Sequence, residues 1–125
     1  HGALSSHPGL GYISSETKIF AGNAYLTEDL TISPTICYAL DSFPLSMRQS
    51  IDAIFLDIEG HELCALKGAE GIITLTHPTI LTEEIGLGGR YGIESDAIAA
   101  WLGPFGYRQV ATWGRDRIYT ARAHI

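Results

Sequence analysis

The chain has 125 residues, 46% of them hydrophobic and 18% charged, and a formal net charge of -6. That length supplies one core but not two, and no apolar run approaches the roughly 20 residues of a membrane-spanning helix. Net acidity without any Lys/Arg cluster excludes binding to a phosphate backbone, so neither nucleic acid nor a membrane is an expected partner. The two cysteines, Cys37 and Cys64, show neither metal spacing nor a disulfide framework, which fits a reducing, cytoplasmic location. No basic segment followed by an apolar stretch marks a signal peptide.

In chain order, Pro8-Gly9 reads as a turn and Leu10 to Ile13 as a short strand. Residues 14–35 read as a long surface loop rich in Ser, Thr, Gly and Asn, with a short strand near Ala24 to Leu26. Thr35 to Leu40 is strand-like and is stopped by Asp41-Ser42 and Pro44. Leu45 to Ser50 is a connector with room for one helical turn.

Ile51 to Ile58 is an apolar, β-branched and aromatic run broken only by Asp52 and Asp57. It does not alternate, so it predicts a strand covered on both faces, as in the parallel sheet of an α/β protein. Two carboxylates, Asp57 and Glu59, stand two apart at its carboxyl end, where period two points both side chains the same way. Gly60 permits a tight turn, and Glu62 to Leu75 follows as one helix, with Glu62 placed to suit the helix dipole. His77-Pro78 ends that helix, and Thr79 to Ile85 is a second buried strand, which also ends in carboxylates, Glu83 and Glu84. Period two lets only one of that pair face the same cleft as Asp57, and Glu83 is the better candidate.

Gly86 to Gly92 reads as a flexible loop carrying Arg90 and Tyr91. Ser95 is placed to cap a helix from Asp96 to Leu102, which Gly103-Pro104 ends. Tyr107 to Trp113 and Arg117 to Ala123 are strands joined by the turn Gly114-Arg115-Asp116, so they form an antiparallel hairpin. In open α/β sheets, ligands bind outside the carboxyl ends of the strands, so Asp57 and Glu59 lead the candidate site residues. His61 lies within that acidic cluster, but no metal-ligand spacing is matched and no metal is expected.

These residues carry a family resemblance. Asp57-Ile58-Glu59-Gly60-His61-Glu62, then Leu66-Lys67-Gly68-Ala69, then Pro78-Thr79-Ile80-Leu81-Thr82-Glu83 resemble the signature of FkbM-type methyltransferases. Weaker matches flank it in order: Ala3-Leu4-Ser5 with Gly9, Leu40-Asp41-Ser42, and Leu102 with Gly106-Tyr107. The resemblance implies a Rossmann-like sheet, mostly parallel, with the terminal hairpin inserted antiparallel. It implies S-adenosylmethionine as methyl donor and a hydroxyl acceptor on a sugar, glycan or secondary metabolite. On this reading Asp57 and Glu59 are catalytic, Asp57 also meets the cofactor, and Glu83, Arg90 and Tyr91 contact the acceptor. Sugars are commonly stacked on aromatics and gripped by Arg, and Trp113 is a further candidate of that kind. The family's glycine-rich cofactor loop has no counterpart in the sequence, because Gly86-Leu87-Gly88-Gly89 follows a late strand.

The chain therefore reads as a single domain, residues 1–125, equivalent to the carboxyl-terminal portion of a methyltransferase and truncated at its amino end. Alone, such a chain is expected to lack activity and to bind the cofactor weakly or not at all. The strand at Ile51 has a sequential neighbour on one side only, which predicts an open edge that another chain or segment could pair with. Two rival readings follow: a non-catalytic assembly module that uses this edge, and a metal-dependent hydrolase built on Asp57 and Glu59.

Overall fold

The computed structural model describes residues 2–15, 24–27, 34–84 and 86–121. The first half builds a sheet from β1 (Ala3–Leu4), β2 (Gly9–Ser15), β3 (Ala24–Thr27) and β4 (Pro34–Tyr38), in the order β1-β4-β2-β3. β3 pairs antiparallel with β2, so the stretch read as a loop carries strand at both ends of residues 16–23. Residues 16–23 and 28–33 of that expected loop lie outside the described residues.

After the short helix α1 (Leu45–Arg48), a second sheet forms from β5 (Ala53–Leu56), β6 (Thr79–Glu83), β7 (Tyr107–Trp113) and β8 (Asp116–Ala121), in the order β5-β6-β8-β7. Helices α2 (Glu62–Lys67), α3 (Glu70–Thr76) and α4 (Ala97–Leu102) complete a mixed α/β architecture. The sheets are mixed, not mostly parallel as expected. Only β1 with β4 and β5 with β6 run parallel. A parallel pair needs a crossover connection, and the second sheet has one, through α2 and α3. The hairpin then adds two antiparallel pairings, with β8 next to β6 and an irregularity between Gln109 and Ala111. Residues 122–125, the end of the expected last strand, and Ile85, the end of its neighbour, lie outside the described residues.

The strand at Ile51 is shorter than expected and half-buried. Ile54 and Leu56 face the core, while Phe55 on the opposite face is 64% exposed. The core explains the difference. Ile54, Leu56 and Ile80 pack with Leu63, Leu66, Ile72, Ile73, Ile98 and Leu102, all from helices on one face of the sheet. Among the described residues nothing covers the Phe55 face, and β5 pairs only with β6, leaving its other edge open. No described helix is long and apolar enough to cross a membrane.

The single helix expected over 62–75 is two helices broken at Gly68-Ala69. The break is made from outside. The Asp41 N–H donates to the Gly68 carbonyl at 2.8 Å. The Asp41 carboxylate then accepts the N–H groups of Gly71 at 2.6 Å and Ile72 at 3.0 Å. Ala69, the residue before α3, offers no side-chain cap, so Asp41 caps the helix from 30 residues away. A side chain at Gly68 would strike the Ser5 carbonyl, which fits glycine at this close approach. Asp41→Ala should cost about 1–2 kcal/mol in urea denaturation, the usual scale for a lost cap, with Asp41→Asn intermediate. A variant as stable as the parent would show that α3 does not depend on this contact. Ser95, expected as the cap of α4, is not the residue at that position; Asp96 immediately precedes the helix and makes no side-chain capping bond.

Candidate active site at the carboxyl ends of β5 and β6

The turn after β5 is held in an unusual backbone conformation. Glu59 has φ 57° and Gly60 has φ 98°. The first is uncommon for a residue with a Cβ and persists only where the surroundings fix it. Glu62 does the fixing. Its Oε1 accepts the N–H of Ile58 at 3.0 Å and of Gly60 at 3.2 Å, from a nearly fully buried position. Burial pushes the Glu62 carboxyl upward in pKa, the backbone N–H groups of Glu62 itself, Ile58 and Gly60 pull it down, and the charge of Asp57 pushes it up again. A Cβ at Gly60 would lie 2.5 Å from the Leu87 carbonyl carbon and oxygen, so the turn packs directly on the backbone of the following loop. Glu62 is therefore more than the first-turn acid that the sequence suggested. The spacing contains the signal, since a carboxylate four residues after Ile58 can reach back to free N–H groups as a capping residue does.

Asp57 and Glu59 follow β5, and Glu83 ends β6, the parallel neighbour. Glu83 lies close enough to Asp57 for the two carboxyl groups to interact. Its pKa is raised by partial burial first, then by the neighbouring Asp57 carboxylate and by the charge of Glu59, with Arg115 opposing. Glu84 faces away. Its Oε1 accepts from Thr82 Oγ1 at 2.9 Å and Tyr119 Oη at 2.7 Å, and its Oε2 pairs with Arg117 Nε at 3.3 Å. A cleft of about 140 Å³ beside the turn is lined by Gly60, Glu62, Glu83, Glu84, Gly86 and Ile98, among others.

Arg90 and Tyr91 do not line that cleft. They lie on the short helical turn Leu87–Tyr91 and border a larger cavity, together with Ser5, His61 and Cys64. His61 also turns away from the carboxylates: its Nε2 is 3.2 Å from Ser5 Oγ, and its ring meets Tyr91 edge-on at 4.7 Å. Among the described residues no group of three His, Cys, Asp or Glu side chains could hold a metal ion. Trp113 is 83% exposed at the end of β7 and lines neither cavity.

The carboxyl pair has a pH signature. The folded state holds the Glu83 proton above the ordinary value of 4.5, whereas the unfolded chain releases it there. Stability is then lost as pH rises from 4.5 through the raised folded value. Glu83→Gln removes this loss, so the variant should gain on the parent between pH 4.5 and 7, by about 0.5 kcal/mol given solvent screening. Thermal melts across that range check it, and a stability difference that stays flat with pH would show that folding does not raise the Glu83 pKa.

Comparison with curated proteins and with solved structures gave no match. A family model described as the methyltransferase FkbM domain matches residues 1–109, nearly the whole chain and including both carboxylate-bearing strand ends. The chain belongs to the FkbM methyltransferase family.

Proposed function

We propose that the chain serves S-adenosylmethionine-dependent methyl transfer to the hydroxyl oxygen of a small-molecule or glycan acceptor, with Asp57 as the proton acceptor. Methyl transfer is the activity of the family. The observation that carries the finer reading is the Asp57–Glu83 carboxyl pair at the ends of two parallel strands. S-adenosylmethionine, when bound, supplies an electrophilic methyl group on a cationic sulfonium. The donor set suits that charge: Asp57 and Glu59 lie close enough to Glu83 to raise its pKa, and Asp57 is the residue that would meet it. Asp57 is exposed, so it can reach an acceptor hydroxyl and take its proton. The braced turn at Glu59-Gly60 fixes the backbone beside Asp57, and the Glu83 carboxyl lies next to it.

The test is transfer of label from S-adenosylmethionine carrying a tritiated methyl group, using the native polypeptide and a panel of sugars and hydroxylated metabolites. Label appearing on oxygen supports the reading; label on nitrogen or carbon, or none on any acceptor, overturns it. A second reading, a non-catalytic assembly module, has the open β5 edge and exposed Phe55 in its favour. It predicts a stable dimer on size-exclusion chromatography that Phe55→Lys dissolves.

A further inference from the structure

Three strands of the second sheet end at the same rim. β5 and β6 run parallel, and β7 runs the same way as β6 because β8 is antiparallel to both. The carboxyl end of β7 is Trp113. Paired residues share a face of a sheet. Glu83 pairs with Asp116, and Asp116 with Trp113, so these three residues form one row on one face. Asp57, whose charge reaches Glu83, stands beside that row. Two residues further in, an apolar row, Phe55, Leu81 and Ile118, lies on the same face. This is the face that the core helices leave open.

A large side chain at a hairpin end ordinarily packs on its cross-strand neighbour. Here that neighbour is Asp116, and the indole is left 83% exposed. Among the described residues no hydrogen bond, ion pair or ring contact engages it. Its partly negative π face therefore stands free at the rim where open α/β sheets bind their ligands. Neighbouring strands lie about 4.8 Å apart, so the Cα atoms of Trp113 and Glu83, two strands apart, are separated by roughly 10 Å. A ligand the size of a monosaccharide spans that distance. A sugar ring also carries the matching pattern: C–H groups on its faces for the indole, and hydroxyls at its edge that donate to Asp116 and Glu83.

We propose that Trp113 is the platform on which the ring of a sugar acceptor stacks, with Asp116 and Glu83 accepting from its hydroxyls and one hydroxyl turned toward Asp57. The inference rests on the methyl-transfer reading only in naming the sugar an acceptor; the stacking itself needs no cofactor. The probe is methyl β-D-glucopyranoside, whose ring substituents are all equatorial, so both ring faces are C–H. The control is D-mannitol, a polyol with no ring. Both are titrated into the native polypeptide by calorimetry, without S-adenosylmethionine. The glucoside should bind about ten-fold more tightly than mannitol, the scale of one ring stacked on an aromatic face. Trp113→Ala should remove that preference and Trp113→Tyr should keep most of it. Trp113 is exposed, so both variants should melt with the parent, which separates loss of the platform from loss of the fold. In NMR spectra of the parent, the Trp113 indole N–H resonance should move with the glucoside and stay with mannitol. Equal affinity for the two probes, binding of neither, a preference that survives Trp113→Ala, or equal losses in the Ala and Tyr variants overturns the proposal. Failure of methyl transfer with the preference intact would instead remove the methyl-transfer reading and leave the platform standing.

Discussion

Asp57→Asn should lower methyl transfer by about 10²–10⁴-fold, the range that a positioned proton acceptor contributes. The substitution keeps the shape of the side chain and one carbonyl oxygen, so it separates the loss of basicity from the loss of a contact. Asp57 is exposed and lies outside the core, so folding should be nearly untouched. A second readout is independent of activity. The Asp57 carboxylate raises the Glu83 pKa, so the Asn variant should let Glu83 ionise at lower pH. Carboxyl NMR titration of Glu83 would show this directly. If activity survives in Asp57→Asn while the Glu83 titration moves as expected, the carboxyl pair is real but is not the base. If activity falls and Glu83 does not move, the two carboxyls act separately. Activity that falls together with the melting temperature would mark Asp57 as a structural residue.

The parts of this site that the sequence exposes are those set by local chemistry. The strand end is legible because an apolar run followed by a carboxylate and a glycine is a local signal, as is the hairpin at Gly114, but the common direction expected of Asp57 and Glu59 fails because β5 stops at Leu56 and Glu59 is left-handed in the turn. What stays hidden depends on distant partners. Nothing near Gly68 says that the Asp41 N–H will take its carbonyl and break a helix. Nothing near Arg90 and Tyr91 says that they will border Ser5 and His61 instead of the cleft beside Glu83. The both-faces-buried reading of the strand at Ile51 fails for a related reason. An apolar run reports what a strand can bury, while its coverage depends on which elements pack there, and the described helices take one face. The resemblance to the FkbM family rests on the same local block, Asp57 to Glu62, and the family model extends it over residues 1–109.

The second large effect concerns Glu62, which touches neither Asp57 nor Glu83 by any hydrogen bond described above yet sets the turn between β5 and α2. Glu62→Ala should destabilise the fold by about 2–4 kcal/mol, because two N–H donors, at Ile58 and Gly60, lose their acceptor where water is scarce. Each such donor costs about 1–3 kcal/mol when left unmade. The left-handed backbone at Glu59 adds to the loss, since that conformation needs its neighbours to hold it. Glu62→Gln is the informative partner. Its amide oxygen can accept both N–H groups, and it sheds the burial penalty that raises the Glu62 pKa, so it should stay within about 1 kcal/mol of the parent. Urea unfolding of the two variants separates the explanations. If Ala and Gln lose the same amount, the charge of Glu62 matters and its acceptor role does not. If Gln is near the parent and Ala is not, the turn is held by hydrogen bonds to the backbone, and the direction of Asp57 depends on them. Methyl transfer should then follow the same order, nearly intact in Gln and lost in Ala, even at temperatures where both variants remain folded.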